Sequence, residues 1–202
     1  MKVTKKRLSN DFFENPDVVA VAQNLLGKII CTNLDGKYCE AMITETEAYA
    51  GKNDKACHAH LGRFTKRTFT MYEQGGTAYI YLCYGIHHLF NIVTNVQGKA
   101  DAVLVRAIEP LVGKEIMMRR RKATAFKPSI FSGPGKLTQA LGITKSLNGV
   151  DLVNGEEVFL AESKTEVGEI VKTTRIGIDY AGEDAALPWR FYISGNKFVS
   201  QL

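Results

Sequence analysis

The sequence lacks an apolar run long enough to cross a lipid bilayer, and no continuous apolar segment follows the basic residues near its start. The first absence argues against a membrane-spanning protein, and the second argues against a secretory signal. Internal repeats, low-complexity tracts and linkers are also lacking. The 202 residues are therefore expected to fold as a single domain, 1–202, with residues 1–10 forming a flexible lead.

Cysteine is scarce, and none of it occurs in a C-x-x-C pair. The four cysteines are Cys31, Cys39, Cys57 and Cys83. A soluble intracellular protein keeps such thiols reduced, so we interpret them as small core residues and expect a cytoplasmic location.

The sequence also lacks recognisable motifs for binding a metal ion or a nucleoside triphosphate. Cys57, His58 and His60 are too crowded for a structural zinc site and lack a second ligand pair. The segment SGPGKLTQALG has the wrong spacing for a phosphate loop, because Leu137 stands where the magnesium-binding hydroxyl would be. We therefore predict no metal and no cofactor. Lys136 remains a candidate contact for one phosphate, against the alternative of an ordinary helix start.

Periodicity and turn residues predict an α+β fold with one curved, mostly antiparallel sheet, partly open and barrel-like, flanked by helices. The Asp35-Gly36 pair predicts the tight turn of the first hairpin. Helices are expected to begin at Pro16, at Glu109-Pro110 and after Ser132. Predicted strands cover 28–32, 38–46, 77–83, 87–94, 102–107, 157–160, 175–178 and 190–194.

The stretch ITETEAYAG mixes carboxylates with an aromatic ring on one face of a predicted strand. Alternation places Ile43, Glu45, Glu47 and Tyr49 on the same side. Two interpretations remain open for this face. It lines a cleft, or it is a solvated strand edge whose charges discourage aggregation.

The segment TAYIYLCYGIHHLF predicts an aromatic hairpin with Tyr84 beside the turn residue Gly85. A large aromatic side chain at a hairpin tip has few core neighbours, and it can wedge into a stack of bases. For Tyr84 that role and a plain structural one stay equally open, whereas Tyr79 is expected in the core.

The basic excess is modest, with 26 lysine and arginine residues against 21 acidic residues and a net charge of +5. The segment HAHLGRFTKRTF concentrates Arg63, Thr65, Lys66 and Arg67 in a polar loop, which suits contacts with phosphates. With Lys136 these residues could serve a polyanionic partner, or they could form an ordinary solvated face.

Four motifs follow one another along the chain: TETEAYAGKNDKACHAHLGRFTKRT, YIYLCYGIHHLFNIV, AVLVRAIEPL and SGPGKLTQALGI. In this order they closely resemble the alkyladenine (3-methyladenine) DNA glycosylases, from about Phe12 to about Ser194. The resemblance implies a monofunctional base-excision repair enzyme, acting as a monomer on double-stranded DNA and, in a bacterium, associated with the nucleoid. It would flip alkylated or deaminated purines out of the duplex and hydrolyse the N-glycosidic bond, without a Schiff base or strand cleavage.

For catalysis, the resemblance assigns Glu47 as the general base that activates water and Arg106 as the arginine that helps to hold that water. It assigns the main chain near Ile176 to the completion of the water site. Glu45, on the same strand face as Glu47, is expected to orient neighbouring groups.

For base recognition, the resemblance assigns Tyr49, His58 and Tyr81 to the pocket around the flipped base. Asn91 would disfavour guanine by crowding its exocyclic amine, and Tyr84 would fill the vacated place in the stack. The implied substrates, which the sequence does not rank, are 3-methyladenine, 7-methylguanine, hypoxanthine and ethenoadenine.

Two other functions remain to be weighed. A non-catalytic module that binds damaged DNA would need the wedge and the basic loop, but it would not need Glu47 with Arg106. A metal-dependent nuclease would use Glu45 and Glu47 as metal ligands, and its activity would not survive EDTA.

Overall fold

One long strand organises the fold. The computed structural model of the chain describes residues 5–200, and in that range the strands form one curled sheet in the order β3-β4-β5-β2-β1-β6, with β8 on β2 and β7 on β8. The strands are β1 (Ile29–Leu34), β2 (Lys37–Ala50), β3 (Ala78–Cys83), β4 (His87–Thr94), β5 (Asp101–Val112), β6 (Val158–Ala161), β7 (Ile170–Thr173) and β8 (Arg190–Ile193). Strand pairing in this range is antiparallel throughout. The predicted α+β class with a curved antiparallel sheet is confirmed.

Short helices cover the sheet and its connections. The α-helices are α1 (Asn10–Phe13), α2 (Val18–Asn24), α3 (Lys114–Arg120) and α4 (Pro134–Leu141). Single turns of 3₁₀ helix lie at Gly51–Asn53, His60–Gly62, Phe69–Tyr72, Pro128–Ile130 and Lys145–Leu147, and a longer kinked one at Asp179–Ala186. Helix α2 packs on β2, and α4 packs on β4 and β5.

Strand β2 changes partner along its length, which lets the sheet curl. Its first half pairs with β1 and its second half with β8, while β5 runs along its other edge. The β2–β5 register shifts three times, between Glu40 and Ala41, between Ile43 and Glu45, and between Glu45 and Thr46. Such bulges turn side chains away from simple alternation. At the last shift Glu45 pairs with Ala107 and Thr46 with Val105, which leaves Arg106 as the extra residue on β5, at the level of Glu45 and Glu47.

The predicted hairpin turn and the helix before it are present, with one shifted boundary. Asp35 and Gly36 both have positive φ, 53° and 68°, as a two-residue hairpin turn requires. The Asp17 carboxylate accepts hydrogen bonds from the amides of Val19 and Ala20, both at 3.0 Å. Helix α2 therefore begins at Val18, after this cap, and not at Pro16 as predicted.

Two predicted elements were wrong. No helix begins at Glu109-Pro110, because β5 continues through Pro110 to Val112. Pro110 lies at a register shift opposite Ala41, where a residue without an amide hydrogen fits a strand. Residues 175–178 are not a strand either, since the Arg175 side chain is buried against Asp54 and the backbone there is irregular.

The main hydrophobic core lies between the sheet and helices α2 and α4. Its fully buried members include Phe13, Ile30, Ile43, Phe90, Val105, Phe131, Leu137 and Phe191. Cys31, Cys39 and Cys57 are buried free thiols, as predicted, whereas Cys83 is half-buried near the hairpin tip and the prediction was wrong for it. In the described part of the chain, no helix combines the length and apolar character needed to span a bilayer.

The predicted flexible lead, residues 1–10, lies partly outside the described residues. Within its described part, Arg7 forms a bridge with Ala161, and its guanidinium donates to the carbonyl of Val153 at 2.9 Å. Leu8 is buried in the main core. These two residues are therefore attached to the fold, because the edge strand β6 offers a hydrogen-bonding partner.

Candidate active site

The residues predicted for catalysis and base contact meet at one cavity of about 460 Å³. A cavity of this size can enclose a small ligand. All seven residues predicted for these two roles line it: Glu47, Tyr49, His58, Tyr81, Asn91, Arg106 and Ile176. They come from β2, β3, β4, β5 and two connecting loops, so the curled sheet brings them together. The strand face around Glu47 and Tyr49 therefore lines a cleft.

The Glu47 carboxylate is fully buried and is held by two hydrogen bonds and one ion pair. Its Oε1 accepts from the amide of Ile176 at 2.8 Å and lies 3.1 Å from Nη1 of Arg106 in the ion pair. Its Oε2 accepts from the Tyr49 hydroxyl at 2.8 Å. An ionised carboxylate has about four acceptor sites, so at least one remains for a water or a ligand in the cavity.

The Glu45 carboxylate, two residues earlier, binds more donors than Glu47 does. Its Oε1 accepts from Nε of Arg106 at 3.0 Å, from Nη1 of Arg190 at 2.8 Å and from the Ser200 hydroxyl at 2.8 Å, and its Oε2 accepts from the Ser200 amide at 2.6 Å. The donors crowd Oε1, since a carboxylate oxygen offers about two acceptor sites. The geometry agrees with the prediction that Glu45 orients neighbouring groups.

Arg106 bridges the two carboxylates. One edge of its guanidinium binds Glu45 and another binds Glu47, and the side chain is almost fully buried. Burial alone would lower the pKa of Arg106, but the charges of Glu47 and Glu45 outweigh it and raise the pKa. Arg106 therefore stays cationic and fixes the orientation of Glu47. A cation between Glu45 and Glu47 also disfavours a divalent metal ion there.

Aromatic rings form much of the remaining wall. The rings of His58 and Tyr81 meet edge to face with centroids 4.6 Å apart, and Tyr79 lies 5.5 Å from Tyr81. Tyr79 is buried, as predicted, yet it also lines the cavity. The Asn91 side-chain amide donates to the carbonyl of Tyr79 at 3.1 Å, and this hydrogen bond holds the Asn91 side chain in place in the cavity wall.

The His58 ring is neutral near pH 7, because burial and the nearby charge of Arg67 lower its pKa to about 4. Its Nε2 lies 3.2 Å from Nη2 of Arg67, which can only donate, so Nε2 accepts. The proton is then on Nδ1, which donates to the Tyr79 hydroxyl oxygen at 2.9 Å. Both ring nitrogens are engaged, and a bound ligand must displace Arg67 to reach Nε2.

Tyr84 stands at the tip of the β3–β4 hairpin and is 91% exposed. Its φ is 50° and that of Gly85 is 70°, and the amide of Ile86 donates to the carbonyl of Cys83 at 3.1 Å. This is a turn with both central residues in the left-handed region, which is unusual for tyrosine. The turn displays the ring beside the mouth of the cavity, which Tyr84 also lines.

The basic loop residues fall into two groups. Arg63, Thr65 and Lys66 are exposed on the loop, as phosphate contacts would require, and Lys136 is exposed at the start of α4. Arg67 is exposed as well, but its guanidinium also lines the cavity, so its predicted contact with a phosphate stays a prediction. Its Cζ lies 5.0 Å from the centre of the Tyr81 ring, and the attraction of a cation to an aromatic face favours this position.

The sequence analysis did not predict a buried ion pair, Asp54 with Arg175, that lies behind Tyr49. The Arg175 guanidinium binds both carboxylate oxygens of Asp54, with Nη2 to Oδ1 at 2.9 Å, and both side chains are fully buried. Arg175 also lies against the ring of Tyr49, 4.8 Å from its centre. The pair joins positions 121 residues apart, so no local pattern could indicate it. The only signal was the adjacency of Arg175 to Ile176.

Comparisons with known proteins agree with these features. The sequence profile of the methylpurine-DNA glycosylase family matches residues 11–197. A protein of Natranaerobius thermophilus, provisionally named a 3-methyladenine DNA glycosylase, is 43% identical over 96% of this chain and 98% of its own length. Proteins with the same provisional name in Chlamydia felis and Methanocella arvoryzae are each 46% identical, over 94% and 96% of this chain and 97% and 96% of their own lengths.

Proposed function

This chain belongs to the methylpurine-DNA glycosylase family, and from that premise we propose that it releases damaged purines from duplex DNA by hydrolysing the N-glycosidic bond. The observation that carries the proposal is the Glu47 carboxylate. It is buried at the cavity, held by two hydrogen bonds and an ion pair, and keeps at least one acceptor site for a water. A module that only binds DNA gains nothing from a carboxylate fixed in this way.

In the proposed reaction, the purine is flipped between Tyr49 and Tyr81 so that its sugar C1′ faces Glu47. A water oxygen attacks C1′ and passes a proton to Glu47, while the C1′–N9 bond breaks and its electron pair leaves with the purine. The carboxylate also stabilises the positive charge that develops on the sugar. Arg106 cannot take the proton, and its part is to hold Glu47 and the water.

We further propose a monofunctional enzyme. No lysine is among the described residues that line the cavity, so none is placed to attack C1′ as an amine. Without a Schiff base there is no step that cleaves the strand. One chain carries every group used in the reaction, which fits a monomer acting on each lesion.

The proposed substrates are 3-methyladenine, 7-methylguanine, hypoxanthine and ethenoadenine. A purine alkylated at N3 or N7 is cationic, and its attraction to the faces of Tyr49 and Tyr81 is worth on the order of 1 kcal/mol. Damaged bases also cost less to unpair. We propose that Asn91, fixed to the Tyr79 carbonyl, disfavours guanine by crowding its exocyclic amine.

The decisive test is single-turnover base release from duplexes that contain hypoxanthine or 7-methylguanine, with EDTA present. Release in EDTA supports a metal-free glycosylase, whereas DNA nicking that EDTA abolishes would support a nuclease. Binding of lesion DNA without release of either base would support the alternative, a non-catalytic damaged-DNA-binding module.

Tyr84→Ala is expected to weaken binding to a lesion-containing duplex by about 1–3 kcal/mol, because the exposed ring no longer fills the gap in the base stack. Fluorescence anisotropy with labelled duplex measures the loss. Tyr84→Phe keeps the ring and is the matched control, with affinity close to wild type. Equal affinities for all three proteins would remove the proposed wedge.

Arg63→Glu is expected to flatten the dependence of DNA affinity on salt concentration, because an exposed cation that neutralises a phosphate is lost. The slope of log affinity against log salt measures this change. Lys37→Glu is the control, since Lys37 lies ten residues before Glu47 on β2, about 33 Å away along an extended strand. A slope unchanged by Arg63→Glu would place that residue away from the DNA backbone.

A further inference from the structure

Arg67 is the cation of the cavity that lacks a carboxylate partner. Within residues 5–200, Arg106 pairs with Glu45 and Glu47 and Arg175 pairs with Asp54, but Arg67 makes no ion pair. Its guanidinium instead contacts Nε2 of His58 and the face of Tyr81. The groups that would surround a flipped base are thus already in contact with an uncompensated positive charge.

The charge of Arg67 has opposite effects on the binding of the two chemical classes of damaged purine, the cationic and the neutral. A cationic purine would compete with Arg67 for the Tyr81 ring, whose centre lies 5.0 Å from the guanidinium carbon, and the two like charges would repel each other there. A neutral purine meets no such repulsion, and its N7 and O6 atoms can accept hydrogen bonds from the guanidinium. Methylation at N7 removes one of those acceptors.

Arg67 also affects the departure of the base differently for cationic and for neutral purines. When a neutral purine leaves with the C1′–N9 electron pair, negative charge develops on the ring system, and a nearby cation stabilises it. A cationic purine becomes neutral as it leaves, so Arg67 offers it no such gain. Both effects favour neutral lesions over cationic ones.

We propose that Arg67 is a specificity-determining residue that shifts base release toward neutral, deaminated purines and away from cationic, alkylated ones. The inference rests on the proposed glycosylase function and deepens it. Arg67 therefore acts within the pocket and is more than one member of a phosphate-binding loop. The surface residues Arg63, Thr65 and Lys66 keep the latter role as a prediction.

The test compares single-turnover rates on two duplexes that differ only in the lesion, hypoxanthine or 7-methylguanine. The quantity of interest is the ratio of the 7-methylguanine rate to the hypoxanthine rate. In Arg67→Gln this ratio is expected to rise at least about tenfold over wild type, because one unit charge near the base is removed. Arg67→Met, which removes the same charge with a different side chain, is expected to give the same result. Arg67→Lys, which retains the charge, is expected to keep the ratio near the wild-type value.

Arg63→Gln is the matched control, since it removes one positive charge from the same loop on a side chain that, unlike Arg67, does not line the cavity. It is expected to change both rates together and leave their ratio unaltered. An unaltered ratio in Arg67→Gln and Arg67→Met, or an equal change in Arg63→Gln, would overturn the inference. If the wild type releases neither base, the proposed function itself fails. If it releases both and the ratio does not respond to Arg67, only the role of Arg67 fails.

Discussion

Glu47→Gln is expected to reduce single-turnover base release by about 10²–10⁴-fold, the usual contribution of a positioned general base. The amide has nearly the same size as the carboxylate but cannot take a proton from water, and it carries no charge to stabilise the sugar cation. Binding to lesion DNA should change little, because the Glu47 side chain is fully buried and the substitution keeps its size. Quenched-reaction kinetics and fluorescence anisotropy measure the two properties separately.

Glu162→Gln provides the matched control for this substitution. Glu162 is a partly exposed carboxylate paired with Lys28, and it does not line the cavity. Its substitution should leave base release unchanged. Turnover at the wild-type rate in Glu47→Gln would contradict the assignment of Glu47 as the base. Equal losses of release and of DNA binding would indicate that Glu47 is needed for the shape of the site.

Asp54→Ala is expected to lower the free energy of unfolding by about 3–5 kcal/mol, as is usual when one partner of a buried ion pair is removed. Arg175 would keep its charge in a fully buried position, where its Nε already has no hydrogen-bond partner. Because Arg175 also lies behind Tyr49 and next to Ile176, base release should fall as well. Urea denaturation measures the change in stability.

Glu162→Ala serves as the comparison for stability, since it breaks a partly exposed ion pair with Lys28. A loss within about 1 kcal/mol is expected there, because solvent screens such pairs. A loss in Asp54→Ala no larger than that of Glu162→Ala would mean that water reaches Arg175 once the carboxylate is gone. The buried pair would then not be a major source of stability.

Local rules were sufficient to predict much of the fold. The Asp35-Gly36 turn, the aromatic hairpin and most strands follow from short patterns that tertiary contacts do not reverse. These rules gave wrong predictions where contacts with distant residues determine the backbone conformation. Pro110 lies in a strand because β2 pairs with it at a register shift. Residues 175–178 have a strand-like sequence but an irregular backbone, since Arg175 is drawn to Asp54.

The candidate site could be predicted only in part, because local patterns show which residues share a strand face but not which distant residues contact them. Strand alternation predicted that Glu45, Glu47 and Tyr49 share a face, and the shared contact of both carboxylates with Arg106 agrees with it. Alternation gives no sign of a β-bulge. Only the structure therefore shows that the Arg106 side chain points toward the face that carries Glu45 and Glu47. The contacts of Glu45 with Arg190 and Ser200 join distant segments and leave no local pattern.

The placement of Tyr81 and Tyr84 on one hairpin has a consequence for how such a protein would search DNA. Three extended residues span about 10 Å, so the backbone fixes the distance between the cavity wall and the exposed ring. The positive φ angles of Tyr84 and Gly85 display the ring at the tip, so the proposed wedge requires no rearrangement of this turn to meet successive base pairs. The speed of the search would then be set by how often each pair opens by itself, and weakened pairs would be found first.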